Sequence, residues 1–185
     1  MLLKKIPLEG ALEIDCLPKK DERGSFVRFF CQKSLSKLFN NTKIVQINSS
    51  YSRMAGTVRG LHFQSLPSQE NKFIRCIKGK IFDVIVDLRE ESNTFGKSYS
   101  VILDSKKMNM IFVPTGFAHG FQTLLPDCEI LYLHTDYYNP ELERGYHYNS
   151  QDLKIPWPIE VTQISDKDQN LEIFKNQRKT VFHEV

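Results

Sequence analysis

The sequence predicts an all-β fold, a sandwich or barrel, on three observations. Short runs rich in Val, Ile, Phe and Tyr recur through the middle of the chain, each bounded by Gly, Pro, Asn, Asp or Ser. No helical pattern of roughly 10–15 residues separates them, as an α/β fold would require. The chain has 185 residues, 41% of them hydrophobic and 25% charged. That is enough for one proper core and too little for two well-separated ones, so residues 1–185 read as a single domain.

The runs fall near residues 43–51, 57–63, 72–78, 80–87, 99–104, 110–113, 118–125 and 129–135. Lys78-Gly79 separates two of them and reads as a tight hairpin. Ahead of the first run, Ser34 to Phe39, stopping at Asn40-Asn41, reads as a short helix. From about residue 150 onward, with Pro156-Trp157-Pro158, the chain reads as an irregular or helical tail that covers the sheets.

Composition narrows the function. The 25 basic and 22 acidic residues give a formal net charge of +3 and are spread along the chain. Phosphate-backbone binding needs a clustered basic stripe, so nucleic acid is excluded as a partner, whereas one diphosphate needs only two or three placed cations. Met1-Leu2-Leu3-Lys4-Lys5-Ile6 is followed by Pro7, Glu9 and Gly10, so no apolar stretch reaches signal-peptide or membrane-span length; the expectation is a cytoplasmic protein. Cys16, Cys31, Cys76 and Cys128 are far apart and lack metal-ligand spacing, which favours free thiols.

Several segments carry side chains capable of chemistry. Arg59-Gly60-Leu61-His62 places a guanidinium and an imidazole three residues apart in a strand. They face opposite sides of a regular strand unless Gly60 marks a bulge. Lys72 opens the next run, either as a solvated strand end or as a site cation. Asp83 interrupts the buried-looking run Ile81 to Asp87 and needs a cationic or imidazole partner, structural or functional. His119 sits between small residues in Pro114 to Phe121, and Tyr132 puts a phenol in an apolar strand, where its hydroxyl needs a partner. Ser165-Asp166-Lys167-Asp168 is a polar cluster that reads as a turn or helix cap.

In this order the segments resemble the nucleotide-sugar 3,5-epimerases of the cupin superfamily, over residues 10 to 172 or so. The likeness rests on Asp21-Glu22-Arg23-Gly24-Ser25-Phe26, Gln46-Ile47-Asn48, Val58 to Gln64, Phe82 to Arg89, Ser92 to Gly96, Pro114 to Phe121, Tyr137-Tyr138-Asn139-Pro140 and Ser165 to Asp168. Each piece is short, but the collinear set is specific. The resemblance implies a cupin jelly roll with short helices and an irregular C-terminal tail. It also implies a homodimer in which an N-terminal strand crosses to the partner, and a nucleotide-diphosphate 4-keto sugar as ligand, by family default dTDP-4-dehydro-6-deoxy-D-glucose. It matches His62 to the base, Asp168 to the carboxylate that orients it, Tyr132 to the acid and Lys72 to the cation near the keto oxygen. Arg23, Gln46, Asn48, Arg59 and His119 fall where relatives hold substrate or diphosphate, Phe26 and Tyr138 where they sandwich the base, and Asp83 is a supporting residue.

The chemistry suits these groups. Protons at C3 and C5 of a 4-keto sugar are both α to one carbonyl, so one imidazole base serves both carbons. A cation stabilises the enolate oxygen, and a phenol returns a proton from the opposite face. No cofactor is expected. No metal is expected either, because metal-binding cupins use an HxH pair and here Phe63-Gln64 follow His62. One departure stands out: relatives read Arg-Gly-x-Phe-x-Glu, and this chain has Arg28 in the place of the glutamate. Arg28 donates where the acid would accept, which opens a GDP-linked 4-keto hexose or heptose as substrate. An enzyme acting at C3 alone, and a sugar-nucleotide-binding cupin without turnover, are the remaining alternatives.

Overall fold

The structure is a computed structural model and describes residues 1–39 and 42–177. The described residues hold strands β1 (Leu2–Lys5), β2 (Leu12–Asp15), β3 (Lys19–Asp21), β4 (Gly24–Phe26), β5 (Gln46–Ser52), β6 (Val58–Gln64), β7 (Lys72–Lys78), β8 (Lys80–Asp87), β9 (Ser98–Asp104), β10 (Asn109–Val113), β11 (Phe117–Thr123), β12 (Cys128–His134) and β13 (Glu143–Gly145), with one short helix, α1 (Asp166–Gln169). They form a six-stranded sheet in the order β1-β2-β10-β7-β12-β5, a five-stranded sheet in the order β13-β6-β11-β8-β9, and a separate hairpin β3-β4. This is the jelly-roll sandwich expected.

The eight apolar runs are β5 to β12, with ends displaced by at most three residues. β1 to β4 and β13 were not legible, because each has only three or four residues; the side chains of β1, β3 and β4 lie in solvent, and the half-buried β13, Glu143-Arg144-Gly145, has no apolar residue. The helix expected at Ser34 to Phe39 is a 3-10 turn at Ser36–Leu38, and its expected stop at Asn40-Asn41 lies outside the described residues.

Lys78-Gly79 is not a hairpin. β7 pairs with β10 and β12, while β8 pairs with β9 and β11 in the other sheet, so the two residues turn a corner between sheets. Gly79 makes the corner with a φ of +85°, and a Cβ there would lie 2.6 Å from the sulfur of Cys128. Only glycine fits that combination of backbone and space.

Both sheets are covered on both faces, which explains the nearly continuous apolar runs. Along β8, Ile81 and Ile85 point into the core between the sheets, while Phe82, Val84 and Val86 point outward beneath Leu153, Trp157 and Phe174 of the C-terminal tail. Outside the six-stranded sheet, Phe73, Met110 and Phe112 lie under Leu35 and Phe39. Between the sheets the inner faces change character. Ile74, Ile81, Ile85, Leu103, Ile111 and Ile130 fill the centre. Toward β5 and β6 the lining becomes polar and the sandwich opens into a cavity.

Candidate active site

The cavity encloses about 400 Å³ and is lined by Asn48, Ser49 and Ser50 of β5, Arg59 and His62 of β6, Lys72 of β7, His119 and Phe121 of β11, Tyr132 and His134 of β12, and Ser165, Lys167 and Asp168 around α1. Residues more than 100 positions apart meet here because inner-facing positions of five strands converge on one opening.

Gly60 puts Arg59 and His62 on the same side. Opposite β11, His62 pairs with His119 and Arg59 with Phe121, so three steps on β6 face two on β11. The extra residue is a bulge at Gly60, whose φ is +104° and where a Cβ would lie 2.6 Å from the carbonyl oxygen of His119. The bulge also aims the Gly60 N–H at Asp168 Oδ2, 3.0 Å away, while Oδ1 lies 2.8 Å from Nε2 of His62. Asp168 thus receives the bulge and the imidazole on separate oxygens. Ser165 caps α1 by accepting from the backbone N–H of Asp168 at 3.1 Å, which fixes the carboxylate's entry into the cavity. Burial pushes the Asp168 carboxyl up, but the His62 and Gly60 hydrogen bonds and the Ser165 contact outweigh it and hold the group below its usual range.

Across the cavity, Tyr132 is half-buried and its hydroxyl lies 3.1 Å from Ser50 Oγ. Burial raises its phenol well above the ordinary value, with the charge of Asp83 adding to the rise. It therefore holds its proton at any working pH. Asp83 finds the partner its burial demanded: Oδ2 lies 2.8 Å from Nε2 of His119. Oδ1 has no hydrogen-bond partner, and complete burial raises the carboxyl despite the imidazole beside it.

Lys72 ends at a network that sequence reasoning missed. Its Nζ lies 3.2 Å from Oε2 of Glu70, whose Oε1 lies 2.7 Å from Nδ1 of His134. His134 then meets the amide of Asn48 at 3.4 Å and stacks on the Tyr132 ring at 6.0 Å between centroids. The period-2 pattern put His134 on the same face as Tyr132, which was the available signal; Glu70 sits in a polar loop and gave none. Ser50, Glu143 and Lys167 were also missed. At the rim, Gln46 accepts from the backbone N–H of Tyr138, and Glu143 accepts from the Tyr138 hydroxyl at 2.7 Å and from Lys167 at 2.6 Å.

Arg59 is tethered to β5, donating to Ser52 Oγ at 3.2 Å and to the Tyr51 carbonyl at 3.0 Å. Arg23, Phe26 and Arg28 do not reach the cavity of their own chain. Arg23 is exposed and paired with Asp21, and Phe26, 71% exposed, shares with Arg28 a shallow groove beside Met1, Leu17, Lys19 and Ser34. β1, moreover, pairs with β2 of its own chain.

Among the described residues, no group of three or more His, Cys, Asp and Glu side chains is gathered as a metal ion would need, and no helix is long and apolar enough to cross a membrane. The four cysteines are free. A jelly roll that opens onto an imidazole–carboxylate pair, a half-buried phenol and an ammonium defines a cupin-type enzyme.

Residues 5–176 match the family model for dTDP-4-dehydrorhamnose 3,5-epimerase. A dTDP-4-dehydrorhamnose 3,5-epimerase of Methanothermobacter thermautotrophicus is 40% identical over 169 residues, 90% of each chain. The crystal structure of the Elizabethkingia anophelis enzyme of that name superposes with a TM-score of 0.90 at 37% identity, covering 97% of this chain and 99% of that one. A Legionella pneumophila dTDP-6-deoxy-D-glucose-3,5-epimerase, solved in complex with dTDP-4-keto-L-rhamnose, gives a TM-score of 0.87 at 36% identity over 93% of this chain and 92% of its own. The chain belongs to the dTDP-4-dehydrorhamnose 3,5-epimerase family, and it is an isomerase.

Proposed function

We propose that the enzyme inverts both C3 and C5 of dTDP-4-dehydro-6-deoxy-D-glucose through an enolate. His62, held by Asp168, takes the α-proton; the electron pair of the broken C–H bond moves onto O4, beside the ammonium of Lys72; Tyr132 gives its proton to the carbon from the other face. The tyrosinate and the imidazolium then exchange with water, and the cycle repeats at the second carbon. The observation that carries this reading is one cavity with the braced imidazole on one wall and the phenol on the other. An acid must arrive protonated, and burial keeps Tyr132 so. A base must be exposed to its substrate, and the His62 side chain is 31% accessible while Asp168 behind it is 5% accessible. Arg59, at the mouth, has the fork geometry for a diphosphate, and the Tyr138 ring at the rim is free to stack on a base.

The nucleotide in this reading is dTDP. The family model and the relatives this chain resembles carry dTDP-sugar names, and the Legionella pneumophila relative was solved with dTDP-4-keto-L-rhamnose, which supports dTDP over GDP. We assign Arg23, Phe26 and Arg28 to a second copy's cavity in a homodimer. An N-terminal strand crosses to the partner in that homodimer, and the exposed β3-β4 hairpin, which carries Arg23 and Phe26, is presented for the same interface. Cytoplasmic location, with four reduced thiols, completes the proposal.

Proton NMR of the dTDP sugar in deuterated water tests the chemistry: deuterium enters at both C3 and C5. Exchange at C3 alone would replace this reading by that of a monoepimerase. A thermal-shift series with dTDP, GDP, CDP and UDP tests the base; dTDP gives the largest rise in Tm, and a larger one with GDP would reverse the assignment.

A further inference from the structure

We infer that Glu70 is a positioning residue for this reaction, one carboxylate that holds both the ammonium of Lys72 and the imidazole of His134 against the acid side of the cavity. The inference rests on the reading above and adds a residue that touches no reacting atom.

Glu70 lies just ahead of β7 in the loop after β6, outside the sheets, yet its side chain is turned inward and 9% exposed. Its two oxygens are used separately, Oε2 on Lys72 Nζ at 3.2 Å and Oε1 on His134 Nδ1 at 2.7 Å. A carboxylate only accepts, so Nδ1 of His134 carries hydrogen. In the neutral ring Nε2 is then an acceptor, and it faces the amide nitrogen of Asn48, a donor, at 3.4 Å. Every contact in the chain Lys72, Glu70, His134, Asn48 therefore has a donor opposite an acceptor with His134 uncharged. Burial pushes the Glu70 carboxyl up, but Lys72 and His134 together hold it below its usual range, so the negative charge persists beside Lys72.

Two consequences reach the substrate. Lys72 has a long, flexible side chain, but that side chain is only 12% exposed and its ammonium is tied back to Glu70, so its position opposite the keto oxygen is set before substrate arrives. The His134 ring, fixed by Glu70, stacks at 22° on the ring of Tyr132 and limits how the phenol can tilt. An electrostatic aid and an acid on the same wall thus depend on one side chain.

The experiment compares Glu70→Gln, which keeps shape and removes charge, with wild type and with Lys72→Met, singly and combined, using the dTDP 4-keto sugar. For E70Q, kcat falls by about tenfold or more while KM changes by less than about threefold, because positioning is felt mainly in the transition state. In the K72M background the same change has less than half that effect, since Glu70 then has no ammonium to hold. A merely structural carboxylate lowers Tm and leaves kcat of the folded enzyme alone. An E70Q enzyme with wild-type kcat, or effects that multiply independently of Lys72, would overturn the inference while leaving the epimerase reading intact; a wild type that exchanges no protons removes both.

Discussion

His62 and His119 are cross-strand partners on β6 and β11, and each holds a carboxylate 2.8 Å from Nε2. Beyond that likeness the pairs diverge. The His62 side chain is 31% exposed, and its Asp168 also receives the Gly60 N–H and sits on a capped helix. The His119 side chain is 7% exposed and its Asp83 is sealed, with one oxygen unpartnered. Hydrogen bonds depress the first carboxyl; burial raises the second. The same two side-chain types therefore make an accessible base with a persistent negative charge behind it, and a wall residue whose partner resists ionisation. What separates them is the number of donors offered to the carboxylate, not the distance between the partners.

The largest expected difference comes from removing each ring. His62→Ala lowers solvent exchange by about a thousandfold or more, the scale of a general base combined with its orientation, and leaves Tm nearly unchanged because Asp168 keeps Gly60 and Ser165. Nucleotide affinity survives, which also separates an enzyme from a binding protein. His119→Ala leaves the fully buried Asp83 carboxyl without its hydrogen-bond partner and destabilises by about 2 kcal/mol, read by denaturant melts. Equal stability losses for the two variants would erase the distinction.

Asp168→Asn comes next. The amide no longer supports an imidazolium, and kcat drops by about 100-fold with the cavity intact. Its stability signature has a definite sign. The folded-state value of Asp168 is depressed, so its stabilisation is complete above the unfolded value of about 3.9 and fades as pH falls through the folded value. D168N flattens the acid side of a Tm-versus-pH curve; an unchanged acid limb would mean that the carboxylate contributes no net stability.

Asp83→Asn is the smallest. A carboxyl raised by burial makes the fold lose stability as pH rises from about 3.9 through the folded value, and the amide abolishes that slope. Against this, the new amide N–H inherits the position with no acceptor. The two effects oppose, and the net change is within about 1 kcal/mol at neutral pH. A steep loss would show that the His119–Asp83 pair is a stabilising ion pair after all.

Much of the site was legible for a physical reason: chemistry-bearing residues interrupt apolar strands. Asp83 within Ile81 to Asp87 and Tyr132 within Leu131-Tyr132-Leu133 announce themselves because burying them requires a partner. Gly60 signalled its bulge in the same way, as a glycine where a strand gains nothing from one. Glu70, Glu143 and Lys167 gave no such signal, since charged residues in loops and turns are ordinary. Their roles depend on which strand ends the fold gathers at the opening.

The chain by itself determined that it would form short antiparallel strands around one apolar interior, because its alternation and turn residues are local properties that survive any arrangement of the strands. It also determined which side chains would need partners. Family resemblance had already set Asp168 behind His62; only the tertiary structure decided that Lys78-Gly79 turns between sheets, that Asp83 serves His119, and that Glu70 joins Lys72 to His134. Pairings across 36 to 106 positions follow from strand order and register, and those are fixed by packing the whole sandwich at once.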